Sequence, residues 1–93
     1  MFNSPQPNII ESSDGFCVEV LGRAGFLYRE GDRKMVVNSE ILTGPSGMVI
    51  YHKSIVRWDA PHNSQLIETP ERARILANIR EAFRFQGFEP QII

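Results

Sequence analysis

Apolar positions along this chain fall into two regimes, a period of two in the first half and a helical stripe near the end. In FCVEVL, Phe16, Val18 and Val20 share one face, as a strand with one buried side requires. GRAG supplies a turn, and FLYRE begins a second strand. EGDR then sets Gly31 and Asp32 between two extended runs. Glycine at the first central position suits a type II′ hairpin, where positive φ is needed. RKMVVNSEIL is a third alternating strand ending near Leu42, and TGPSG breaks it with Gly44, Pro45 and Gly47. A fourth strand, MVIYH, carries Val49 and Tyr51 on one face and Met48, Ile50 and His52 on the other. Short turns between these segments predict an antiparallel meander.

The helical stripe is Ile75, Leu76, Ile79 and Phe83, with Arg72, Arg74, Arg80, Glu81 and Arg84 mostly on the other faces. Thr69 is placed to cap this helix, Pro70 suits the first helical position, and Glu71 complements the positive end. Gly87 is a C-terminal stop, after which FEPQII returns as a short extended segment that Pro90 confines to an edge. The predicted fold is α+β: a four- to five-stranded antiparallel sheet packed by one C-terminal amphipathic helix. MFNSPQPNIIESSDG has no sustained period and is rich in Asn, Ser and Pro. Residues 1–15 therefore read as a flexible N-terminal tail, with Ile9 and Ile10 free to dock on the domain or on a partner. Residues 16–93 read as a single domain.

Charge narrows the function classes. Ten Lys plus Arg stand against eleven Asp plus Glu in 93 residues, a formal net charge of −1. Nucleic-acid binders usually carry a basic excess, so no nucleic-acid partner is expected. The helix arginines are interleaved with Glu68, Glu71 and Glu81, which predicts a salt-bridged solvated face. The single cysteine, Cys17, admits no internal disulfide, suits a reducing compartment, and between Phe16 and Val18 reads as a small core residue. With no signal peptide and no apolar run of bilayer length, a cytoplasmic location and no membrane partner are expected.

The chemistry-bearing residues concentrate in YHKSIVRWDAPH, which holds both histidines and the only tryptophan. His52, Asp59 and His62 are competent metal ligands, but their separations match no compact zinc pattern. Ser46 lies in GPSG rather than in GxSxG, and neither a P-loop nor GxGxxG occurs. No catalytic residue, metal or cofactor is expected. Tyr51, Arg57 and Trp58 are residue types enriched at interface hot spots, whereas a single Trp in a small domain also serves as a core anchor.

The order GFLYREGDRKMVVNSEIL, GMVIYHKSIVRWDAPH, polar run, helix, GFEPQII resembles the immunity protein 74 family of bacterial polymorphic toxin systems. The matching features are Gly25, the Gly31–Asp32 turn, Glu40, Tyr51, Ser54–Ile55, and Trp58–Asp59 with Pro61; Ala60 stands where the family favours a second proline. The resemblance implies a non-catalytic cytoplasmic antidote that binds a cognate toxin protein. On that reading Trp58 and Pro61 are structural, as is Gly31 at its turn, and Tyr51, His52, Lys53, Arg57 and His62 form a polar margin that touches the partner. The competing expectation is a generic interaction module, forming a homodimer through an exposed edge at FEPQII or at the strand beginning with Phe16.

Overall fold

A computed structural model describes residues 1–22, 25–41 and 47–93, with the backbone alone at Ile41. Arg23 and Ala24 of the GRAG turn, Leu42, and the TGPSG loop up to Ser46 lie outside the described residues. The architecture is α+β, with one C-terminal helix against a curled mixed sheet of seven strands. In chain order the strands are β1 (Phe2–Gln6), β2 (Ile9–Ser12), β3 (Phe16–Gly22), β4 (Gly25–Glu30), β5 (Arg33–Ile41), β6 (Met48–Ile50) and β7 (Gln91–Ile92). Their spatial order is also β1 to β7. Every pairing is antiparallel except the last, where β7 runs parallel to β6.

This corrects the expectation of four to five antiparallel strands: β1 and β2 are additional, and β7, expected as a short edge segment, pairs in parallel. The segment expected as a flexible tail forms the β1–β2 hairpin, and Ile10 is fully buried opposite Val18. Its polar composition belongs to an edge: Asn3, Ser4, Pro5 and Gln6 are exposed, and the register shifts between Asn3 and Gln6. Ser4 Oγ lies 2.7 Å from the Gln6 carbonyl oxygen and 2.8 Å from that of Ile9, within donating distance of both. Proline is tolerated at such a bulged edge because no ladder partner needs its missing N–H.

Alternation explains which face is buried. Ile10, Val18, Tyr28 and Met35 form one cross-strand row of the core, and Val20, Phe26 and Val37 form the next. Cys17, between the buried Phe16 and Val18, points to the opposite face and is partly exposed, so the expectation of a core cysteine is corrected by strand parity. Helix α1 (Thr69–Phe85) covers the core face with Ile75, Ile79, Ala82 and Phe83. Its N-cap is Glu68 rather than Thr69, and Pro70 sits in the first turn. At the other end Gly87 adopts φ +90°; its N–H donates to the Arg84 carbonyl, and the Phe88 N–H donates to that of Phe83. This is a Schellman closure, completed by edge-to-face packing of Phe83 and Phe88 at 6.4 Å.

β5 turns the corner of the sheet. Residues 33–38 pair with β4, and residues 39–41 pair with β6. The hairpin entering it has Gly31 at φ +58° and no positive φ at Asp32, as a type II′ turn requires. Where β6 leaves, the first part of β5 would present an open edge. The stretch from Tyr51 to His62 fills that place.

Candidate functional site

Tyr51 to Ser54 do not continue the fourth strand to His52; β6 ends at Ile50 and His52–Ser54 form a short 3-10 turn. Backbone accounting explains the break. The Tyr51 N–H donates to the Asn38 carbonyl (3.0 Å), the Asn38 N–H donates to Ser54 Oγ (3.0 Å), and the Asp59 N–H donates to the Lys34 carbonyl (2.8 Å). Ser54 Oγ also donates to the Tyr51 carbonyl (2.8 Å). The segment therefore caps the outer edge of β5 at Asn38 and Lys34 without joining the ladder as a strand.

Side chains divide by direction along this brace. Ile55 and Trp58 enter the core, at 0% and 1% exposure. The indole stacks on the Tyr28 ring at 6.3 Å, and that ring stacks on Phe16 at 5.9 Å. Arg72 of the helix donates to the Ile55 carbonyl, tying the brace to α1. Arg57 pairs with Leu66 in an isolated antiparallel bridge, and Ala60–Pro61, a cis peptide, lies at the exposed tip between them.

The five residues expected to touch a partner are spread along this edge. Lys53 and Arg57 are exposed, while Tyr51, His52 and His62 are half-buried. His52 donates its N–H to the Ile93 carbonyl beside β7. His62 lies at the far end, its Nε2 3.5 Å from Asp32 in the β4–β5 turn. Asp32 to Asn38 spans about 20 Å of extended chain, so the five form a strip and not one cluster. The Glu40 carboxylate near the Tyr51 hydroxyl raises the pKa of that phenol, with partial desolvation adding to it. The histidines sit at opposite ends of the strip, and among the described residues no three His, Cys, Asp or Glu side chains gather at metal-binding separation.

A second polar constellation escaped the sequence reading. The Tyr28 hydroxyl, at the end of a core ring, donates to Glu30 and accepts from Asn78 Nδ2 (3.0 Å). Arg74 grips the same carboxylate through both terminal nitrogens, at 2.6 and 3.2 Å. Burial pushes the Tyr28 phenol well above its ordinary value, and the bond to Glu30 pushes it further. The Glu30 bond likewise raises Arg74. Every group here has a partner, which marks a strut between the β4 hairpin and the helix. The signal lay in Tyr28 itself: a core tyrosine needs a partner for its hydroxyl, and helix residues 74 and 78 are one turn apart. Further along the helix Arg84 pairs with Glu81, as expected, and also with Glu89, which Arg80 approaches as well.

Comparison with known proteins settles the family. The model of the family described as Immunity protein 74 matches residues 18–92. The chain belongs to that family. Its match covers the core strands, the brace, the helix and β7, leaving only the β1–β2 hairpin, the start of β3 and the last residue outside. No curated protein and no solved structure matches the chain. As an Immunity protein 74 member it is linked by its family name to protection against a toxin, and no helix among the described residues is long and apolar enough to cross a membrane.

Proposed function

We propose that this protein is a cytoplasmic, non-catalytic immunity protein that binds a cognate bacterial toxin domain of a polymorphic toxin system and neutralises it by occupancy. The observation that carries this reading is the family match across residues 18–92. Two features support it: the polar groups of the Tyr28 strut are bonded to one another, and the brace carries Tyr51 and Arg57, residue types enriched at interfaces. The brace margin is the contacting strip, with Lys53 and Arg57 reaching outward and Tyr51, His52 and His62 set between them and the sheet. Exposed cations on a strip fixed by backbone hydrogen bonds suit a toxin surface carrying carboxylates, since opposite charge speeds encounter and fixes register.

The test pairs this chain with the toxin domain encoded beside its gene. Co-expression should protect cells, and purified proteins should bind as a defined complex. The K53E/R57E variant should fold normally yet bind about tenfold more weakly or worse. Equal killing with and without the wild-type chain would sink the function. Undiminished binding by the double variant would sink only the assigned strip.

A further inference from the structure

The sheet has two faces, and the helix covers only one. On the uncovered face two cross-strand rows run from β2 to β5. One row is Glu11, Cys17, Arg29 and Lys34, and the other is Ile9, Glu19, Leu27 and Val36. Arg29, Glu11 and Glu19 all act electrostatically on the Cys17 thiol, which places these charges around it on one surface. Acidic groups occupy the β2–β3 half, basic groups occupy the β4–β5 half, and Val36 is 47% exposed beside them. Glu40, further along β5, lies beyond the last β4 pairing.

This polarity is self-complementary. A two-fold axis parallel to the strands, midway between β3 and β4, exchanges the acidic and basic halves. It lays Glu11 over Lys34 of the second copy, Ile9 over Val36 of the second copy, and the two Cys17 side chains close to the axis. Aligned sheets pack face to face about 10 Å apart, within reach of these side chains. Edge pairing is a poor alternative. The strand beginning with Phe16 is flanked by β2 and is not an edge, β1 is interrupted by Pro5 and a register shift, and β7 is two residues long and follows Pro90.

We propose that the uncovered β2–β5 face binds a second copy of this chain, forming a symmetric dimer held by Glu11–Lys34 pairs around an apolar Ile9–Val36 contact. Four strands about 4.8 Å apart and about five residues long give a flat footprint of roughly 300 Å². A standard stable interface takes about 800 Å² from each partner, so the dimer is weak and concentration-dependent. This surface uses none of the five brace-strip side chains, and the dimer stands whether or not the toxin-binding reading does.

Sedimentation equilibrium on the full chain, from about 5 to about 500 μM, tests it. Wild type should pass from monomer to dimer in this range, and added salt should weaken the dimer. Symmetry makes each substitution act twice, so E11K and K34E should each weaken association about tenfold or more. The E11K/K34E double variant restores opposite charges and should recover most of the affinity. A short bismaleimide should join wild-type chains through Cys17, the only thiol, and should fail with E11K. Circular dichroism confirms that each variant is folded. Monomer at every concentration, or a double variant no better than the singles, overturns the proposal.

Discussion

Replacing Tyr28 by Phe removes one oxygen from the centre of the fold and leaves the ring stack intact. The hydroxyl donates to a carboxylate already gripped by Arg74, and it accepts from Asn78. A hydrogen bond to a charged group contributes about 1.5–3 kcal/mol. Asn78 is half-exposed and can turn to water, and Glu30 keeps its arginine, so a loss of about 2 kcal/mol is expected at pH 8. The pH dependence is the sharper signature. The folded-state pKa of Tyr28 is raised, by burial first and by the Glu30 bond second. Its contribution is therefore fully present below about pH 10, the unfolded value. Above that the unfolded chain releases a proton that the folded chain keeps, and stability falls by up to about 1.4 kcal/mol per pH unit. Tyr51 shifts in the same direction, but the difference between wild type and Y28F isolates Tyr28. Urea titrations read by Trp58 fluorescence at pH 8, 10 and 11 would measure both effects. Parallel stability curves for the two proteins between pH 10 and 11, or a cost at pH 8 below about 0.5 kcal/mol, would refute the assignment.

The brace and the helix stop give further expectations. Ser54→Ala deletes the acceptor for the Asn38 N–H and should cost about 1–2 kcal/mol, with hydrogen exchange at Asn38 accelerated more than exchange at the β3–β4 ladder. Unchanged Asn38 protection would show that the cap is not made in solution. Gly87→Ala meets no neighbouring atom but forces a side chain into φ +90°, so it should cost about 1–2 kcal/mol by thermal or urea unfolding, with Gly87→Asn costing less. Equal costs for Ala and Asn would mean that conformation is not the cause.

The legible parts of this fold were those whose apolar period is internally consistent. Phe16, Val18 and Val20 point inward with Phe26, Tyr28, Met35 and Val37, and the Ile75–Phe83 stripe lands on them. The β1–β2 hairpin was not legible because its composition reports its edge position: of its nine strand residues only Ile10 is fully buried. Polar and proline content there reads as disorder when the decisive fact is a backbone ladder to β3. β6 was overextended for the opposite reason. MVIYH alternates plausibly to His52, but the chain bends at Tyr51 to reach the β5 edge, a demand set by strands distant in sequence. Cys17 shows how strongly parity rules: flanked by two buried residues, it faces the other way.

The brace gathers this chain's unusual residues because it has two sides with different duties. Its inward positions, Ile55 and Trp58, join the sheet to the helix through the Tyr28 ring and Arg72. Its backbone caps β5, which fixes the direction of the outward positions without using their side chains. Lys53 and Arg57 are therefore held by a scaffold that does not depend on their identity. Substitution at those positions leaves the core residues fixed by packing. The same separation holds for the uncovered sheet face, where Glu11, Arg29 and Lys34 stand on strands secured from beneath by Ile10, Val18, Tyr28 and Met35. A small domain can thus present two independent surfaces, one irregular strip beside the sheet and one flat face upon it, from a single core.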